Sequence, residues 1–317
     1  MKARKNPVHA YRKAVQGVTL IELMISLVLG LLVVGAAIGI FISNRQTFRA
    51  TENLGRIQET ARTAFELMAR DIREAGGNAC DFNLPVANVV NGATGTWSTN
   101  WALPIQGYDN GALGMGTLAG TDAIQVLSAG SGASTVTLHN AGTQTFTINS
   151  NPSGFVTGDT LMVCDPSQVS IFKATVSGVS VRHAISAGNC SNSLGLLPSV
   201  CSGTAYAHPA NSVMTRLQAT RWYVKANGRG GNSLYQSMSG TEGEVAEGVR
   251  DMQITYLQTD PAGGVETYVD ASAVTNWSRV RAARVVLTLE GQDRVGTNGN
   301  PIRRQLIHVV SLRNRNA

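Results

Sequence analysis

A stretch of twenty uncharged residues, Leu23 to Ile42, follows a short basic leader and constrains everything after it. As a helix it rises by about 30 Å at the standard pitch, close to the ~30 Å apolar thickness of a bilayer. Lys2, Arg4, Lys5, Arg12 and Lys13 lie within the first 17 residues, and no acid precedes Glu22. That asymmetry orients the leader towards the cytoplasm. It also accounts for most of the formal charge of +6, since the rest of the chain is nearly neutral. The charge therefore gives no ground for expecting nucleic-acid binding, which needs a basic patch on the folded body. A conventional secretory signal has a shorter apolar core, ~7–15 residues, ended by a small-x-small site. Here the apolar stretch is longer and begins with Glu22, a residue type that costs roughly 2.5–3.5 kcal/mol at the bilayer centre. The carboxylate requires a reason.

The segment Gly17-Val18-Thr19-Leu20-Ile21-Glu22-Leu23 resembles the class III signal of type IV pilins and type II secretion pseudopilins. The resemblance implies that a membrane prepilin peptidase cuts after Gly17 and N-methylates the new terminus, Val18. It also places Glu22 at the family's helix glutamate, as a charge that sets subunit register. Val18 departs from the family's usual phenylalanine. A glycine before the cut has a physical rationale, because a residue without Cβ lets the backbone lie extended in a tight protease site. Gly35 and Gly39 have the spacing that permits close helix approach, although membrane helices tolerate glycine generally. No proline lies between Pro7 and Pro85, so any local melting of this helix in a filament would rest on Gly30, Gly35 and Gly39.

Beyond residue 42 the pattern turns amphipathic. Leu54, Ile57, Ala61, Phe65, Met68 and Ile72 recur at three- and four-residue spacing, which marks one buried face. Arginines and glutamates alternate along the solvated side, and Gly76-Gly77 ends the pattern. The expected organisation is a leader at 1–17, a membrane and filament-core helix at 18–42, its amphipathic half at 43–75, and a periplasmic β-rich domain at 76–317. Residues 78–120, rich in Gly, Asn and Thr, read as a long surface connection. Strand-like runs follow at 122–129, 135–139, 143–148, 160–164, 170–176, 220–225, 233–238, 251–258, 280–290 and 304–312, most of them separated by turn residues. The fold class is α+β, type IV pilin-like, with one long helix packed on mainly antiparallel sheet.

Val249 to Tyr256, the strand Val280 to Leu289, the ending Val310 to Arg315, and Cys164 to Thr175 around Phe172 are similar to PilW-type minor pilins. That resemblance implies a structural subunit in type IV pilus biogenesis, placed in the initiation or tip complex and supporting adhesion or twitching motility. Its implied partners are the prepilin peptidase, other minor pilins, the major pilin, the assembly machinery, a tip adhesin and inner-membrane lipid. The implied location is the inner membrane before assembly and the pilus on the cell surface afterwards. A J-type minor pseudopilin of a type II secretion system shares the architecture but is usually shorter. A membrane-anchored periplasmic enzyme or binding domain is the more distant alternative.

Cys80, Cys164, Cys190 and Cys201 all follow the apolar segment and would face an oxidising compartment. Three pairings exist. Cys190–Cys201 with Cys80–Cys164 is preferred, the second bridge tying the helix exit to the sheet. None of the four forms a C-x-x-C pair, so no zinc site is expected. His9, His139, His183, His208 and His308 read as scattered, without a carboxylate companion. Asp159 and Asp165 read as turn residues, and Trp97, Trp101 and Tyr108 as aromatics covering a sheet edge. There is no G-x-S-x-G and no phosphate loop. Gly114-Met115-Gly116 lies outside any βαβ pattern, so no enzyme activity, cofactor or metal is expected. Intact-mass analysis of protein from its host should find a chain that begins at N-methylated Val18. A bulky residue at Gly17 should block the cut, and a dominant uncut species in cells with active peptidase would refute the processing reading.

Overall fold

The computed structural model describes residues 17–81, 83–196, 201, 204–259, 264, 266–296 and 299–315. The leader up to residue 16, with its five cations, lies outside them. The chain divides into two compact units, residues 1–52 and 53–317. Helix α1 (Leu20–Glu74) supplies residues to both. Its ends differ by two residues and one residue from the sequence expectation of 18–75. In the first unit α1 buries no side chain. Leucines, isoleucines and valines from Leu20 to Ile42 are exposed on every face.

The second unit begins where the helix becomes one-sided. Ile57, Ala61, Ala64, Phe65, Met68 and Ile72 are buried because they share one stripe at helical spacing. Asn53 is buried where the periodicity pointed to Leu54, and its Nδ2 donates to Asp293 Oδ2 at 3.1 Å. Gly76 ends the helix at φ 73°, a left-handed turn that favours glycine. Asn314, almost at the other end of the sequence, donates to the terminal carbonyls of Glu74 and Ala75 at 3.3 and 3.4 Å.

Among the described residues fifteen strands follow. They are β1 (Val86–Asn88), β2 (Ile105–Tyr108), β3 (Ala123–Asn140), β4 (Thr145–Ile148), β5 (Thr160–Cys164) and β6 (Val169–Lys173). Then come β7 (Thr175–Ser177), β8 (Ser180–Arg182), β9 (Val213–Ala226), β10 (Asn232–Met238) and β11 (Thr241–Glu247). The last are β12 (Val249–Gln258), β13 (Thr267–Val269), β14 (Val280–Glu290) and β15 (Arg303–Ser311). The larger sheet has the order β1-β6-β5-β9-β3-β4-β8-β7, with β10 on β9, β11 on β10 and β2 on β3. The smaller sheet runs β13-β12-β14-β15. Among the described pairs only β1–β6 is parallel, so the architecture is α+β with mainly antiparallel sheet.

The stripe of α1 shares one core with Ile124, Trp222, Val285, Leu287 and Val310 from both sheets. Burial of each large side chain contributes roughly 1.5–3 kcal/mol. A polar bond fixes register within that apolar contact. Asp71, 2% exposed, accepts from Trp222 Nε1 at 2.9 Å and from Gln236 Nε2 at 2.7 Å. Burial raises its pKa, against the lowering effect of those two donors. Gly107 allows β2 to lie against Tyr256, since a Cβ there would stand 2.3 Å from the phenol oxygen.

Three sequence readings change. Residues 78–120 are more than a surface connection. They contribute β1 and β2, bury Val89, Val90 and Ile105, and pair Val89 N with Ile171 O at 2.9 Å. Strand β9 starts seven residues before the expected 220, with Thr215 buried between β3 and β5. The runs at 122–129 and 135–139 form one strand, β3, whose pairing to β9 shifts between Ala129 and Ala133.

Disulfides join Cys80 to Cys164 and Cys190 to Cys201, with sequence separations of 84 and 11. On loop-closure entropy the first should contribute about 4.6 kcal/mol and the second about 2.8 kcal/mol. Alanine pairs at 80/164 should therefore lower the denaturation midpoint more than alanine pairs at 190/201. The reverse order would show that the long bridge does not restrain the unfolded chain.

Candidate functional site

The described chain opens with a capped helix start. Thr19 Oγ1 accepts from the Glu22 backbone N–H at 3.3 Å, and Glu22 Oε2 accepts from Thr19 N and Thr19 Oγ1, each at 3.3 Å. This reciprocal pair is a capping box, which satisfies donors that a helix N-terminus leaves free. The Thr19-x-x-Glu22 spacing is its sequence signature. Ser26 Oγ donates back to Glu22 O at 2.7 Å. Glu22 is the only ionisable side chain between Val18 and Ile42. Around it the helix is long and apolar enough to cross a membrane, with a mean hydropathy of 2.8 over its best 18 residues. Such a helix, apolar on all faces, needs lipid or other helices as its solvent.

Three histidines of the second unit are not scattered, while His308 lies apart against Phe65. His139 from β3, His183 after β8 and His208 before β9 form one cluster, which His208 joins to Asp165 in the turn between β5 and β6. His208 Nδ1 lies 2.6 Å from Asp165 Oδ2, and its Nε2 lies 2.8 Å from Ser170 Oγ. Tyr206 OH donates to the same carboxylate oxygen at 2.9 Å, while Ser167 N and Gln168 N donate to Oδ1. Asp165 is thus the turn residue expected from sequence and also a carboxylate companion, which the sequence reading missed. Burial alone would raise its pKa, but the Ser167 amide, Tyr206 and His208 outweigh burial and hold it below the usual value.

Sequence distance hid this cluster. His208 N–H donates to His139 Nδ1 at 3.0 Å, 69 residues away, and His139 Nε2 meets His183 Nε2 at 3.0 Å. Because His139 Nδ1 accepts, its proton sits on Nε2 and points at the bare Nε2 of His183. His183 then carries its own proton on Nδ1, a buried atom with no partner among the described residues. His139 is pushed down to about 4 by burial and by His208, and His183 to about 3 by burial and by His139. The Asp165–His208–Ser170 order matches that of a hydrolytic relay. However, Ser170 is fully buried, and its hydroxyl lies 2.9 Å from the Leu194 carbonyl. These bonds fasten Leu194 and His208 to β6, helped by Asn189, which bonds the backbone of Lys173 on both sides.

The aromatics also found places. Trp97 lies under the Arg221 guanidinium at 3.7 Å, and Trp101 and Tyr108 are half-buried beside separate small apolar clusters. Gly17, Val18 and Glu22 stand together at the helix start, far in sequence from the four cysteines. Among the described residues no group of three or more His, Cys, Asp or Glu could hold a metal ion.

Residues 221–309 match the family described as Type IV Pilus-assembly protein W, and residues 12–38 match the Prokaryotic N-terminal methylation motif. The first match begins in the second half of β9 and runs through most of β15, and the second covers the capped helix start. Neither curated proteins nor solved structures yield a match.

The buried histidines set a pH dependence whose sign is fixed. Both His139 and His183 have folded values below the unfolded ~6.5. Their neutral forms contribute fully above pH 6.5, and stability falls as pH drops towards about 4 and about 3. The limiting slope is ~1.4 kcal/mol per pH unit for each histidine that stays neutral only when folded. His183→Gln keeps an acceptor for His139 but cannot titrate. Denaturation midpoints between pH 6.5 and 4.5 should fall less steeply in that variant, and equal slopes would refute the assignment.

Proposed function

We propose that this PilW-like type IV pilin is a structural subunit that works in the initiation or tip complex of the pilus. The observation that carries this reading is the helix from Leu20 to Ile42. It is apolar and exposed on all faces, and its single carboxylate lies one turn from the start. Lipid satisfies such a surface before assembly, and the helices of other subunits satisfy it afterwards. The leader at 1–17 would be removed by the prepilin peptidase, leaving 18–42 as the filament-core segment and 43–75 as the amphipathic half. Residues 76–317 would then form the periplasmic domain. Both matched families are pilus structural components, and partner minor pilins, the major pilin and a tip adhesin follow as proposed neighbours. Adhesion and twitching motility would be the outputs of the assembled fibre.

Within this reading, cleavage gives Val18 a cationic amine close to the Glu22 carboxylate of an adjoining subunit. In a low-dielectric core such a pair is far stronger than in water, whereas an unpaired carboxylate there is strongly penalised. Subunits docked at a wrong stagger would leave Glu22 unpaired, so the charge would act as a register device.

The capping box allows that role to be separated from helix capping. Glu22→Gln retains an N3 residue suited to the box but removes the charge. Both Glu22→Ala and Glu22→Gln should leave cleavage and insertion intact. Each should lower incorporation into filaments by at least ~10-fold, equivalent to ~1.4 kcal/mol. Glu22→Asp and Thr19→Ala should be milder. Normal incorporation of Glu22→Gln would leave only the cap as the function of this residue.

A further inference from the structure

The geometry points to β15 as an open docking edge for an extended, acid-bearing segment of a partner protein, which would join the smaller sheet as its fifth strand. Strand β15 ends that sheet and, among the described residues, pairs only with β14. Nine consecutive pairs, from Ala282↔Ser311 to Glu290↔Arg303, run without a register shift. Regular open edges invite strand addition, and proteins usually guard them with bulges, prolines or very short strands. The edge of β15 has none of these.

Its side chains are unusually uncovered for their type. Of nine residues only Val310 is buried. Leu306 and Val310 face the helix core, where His308 also rests on Phe65 with ring centroids 4.2 Å apart. On the opposite face Ile307 and Val309 are 51% and 55% exposed, beside Val286 and Arg284 of β14. An incoming strand would extend this face and cover both apolar side chains, while its backbone would satisfy the free edge.

Charge specifies the occupant. Across residues 279–290 and 303–313 the only acid is Glu290, and it already takes Arg250 and Arg303 at 3.0 and 2.7 Å. Arg281, Arg284, Arg304 and Arg313 are left without an ion pair among the described residues. A partner strand with carboxylates interspersed among apolar residues answers both features. A second copy of this chain is a poor fit. Its own acidic edge, β11, has Glu242, Glu244 and Glu247 engaged by Lys225 and Arg229, and a register shift interrupts its pairing with β10. The surface stands independently of the subunit reading, because it requires a partner segment whichever assembly recruits it.

The test uses the full chain in its host, with a photo-crosslinking phenylalanine at Ile307 or Val309 and a control at Leu138, which is 60% exposed on the other sheet. Cross-linked peptides are then mapped by mass spectrometry. The expected result is adducts at 307 and 309, but not at 138, to one partner segment carrying at least two acidic residues. Arg284→Glu with Arg304→Glu should reduce those adducts at least fivefold, while the paired lysine substitutions preserve them. Both charge variants must retain two disulfides on non-reducing maps. Adducts to a second copy, adducts to a segment without acids, indifference to charge reversal, or no adduct at either position would each overturn the proposal.

Discussion

One helix must meet two different surroundings, and the rest of the chain depends on how it does so. Up to Ile42 its large apolar side chains lie on every face and are exposed among the described residues. From Asn53 onwards a single stripe is buried, and the opposite side carries exposed pairs such as Arg62–Glu66. The apolar stripe alone would let the helix slide along a sheet of similar side chains, since burial is not directional. Asp71 removes that freedom. Its carboxylate needs the donors of Trp222 and Gln236, and a shift of one turn would leave it buried and unbonded. The same logic of a costly unpaired charge underlies the role proposed for Glu22, forty-nine residues earlier.

The second unit is organised around β9, which pairs with β3, β5 and β10 along different parts of its length. The Cys80–Cys164 bridge links the segment just after the helix to β5, so the first residues beyond the helix are held to the larger sheet. The next residue, Asp165, starts the polar network that fastens Leu194 and His208 to β6. Covalent and polar restraints therefore meet at one corner, where the chain leaves β5 and returns before β9. An additional proton on His139 Nδ1 would face the His208 backbone N–H, and one on His183 Nε2 would face the Nε2–H of His139. The network's rigidity is a property of neutral and alkaline conditions.

The legibility of these features in the sequence followed their range. The helix was readable because periodicity repeats over many turns, and its end because Gly76 supplies a left-handed turn. The longer strands were readable where apolar and polar residues alternate, as in β12 and β14. The opening of β9 was not, because Thr215, Arg216 and Gln218 are polar residues in a strand flanked on both sides. Strands β1 and β2 have three and four residues, too few for a pattern, and their pairing is decided by β6 and β3. The histidine cluster was invisible for the same reason. Its members are separated by 44 and 69 residues, and only the sheet order brings them together. Of the proposed assembly site, Gly17, Val18 and Glu22 fall within one short motif of the sequence, whereas the Thr19–Glu22 box was present in the same residues and was overlooked.

That box bears on how one carboxylate could serve two states of the subunit. In the described chain Glu22 spends its charge on Thr19, through contacts of 3.3 Å that sit at the long end of hydrogen bonding. Long bonds at an exposed helix start are weak, so exchanging them for a buried amine would sacrifice little. The helix dipole favours the carboxylate at this end in either case. On the proposed reading, a first-turn glutamate would be stabilised before assembly by its own cap and would be free to turn towards a stronger partner. A carboxylate two turns deeper would have no such cap and would bear the full penalty of lipid. In the proposed role, the position of the charge, as much as its presence, would make one residue compatible with both surroundings.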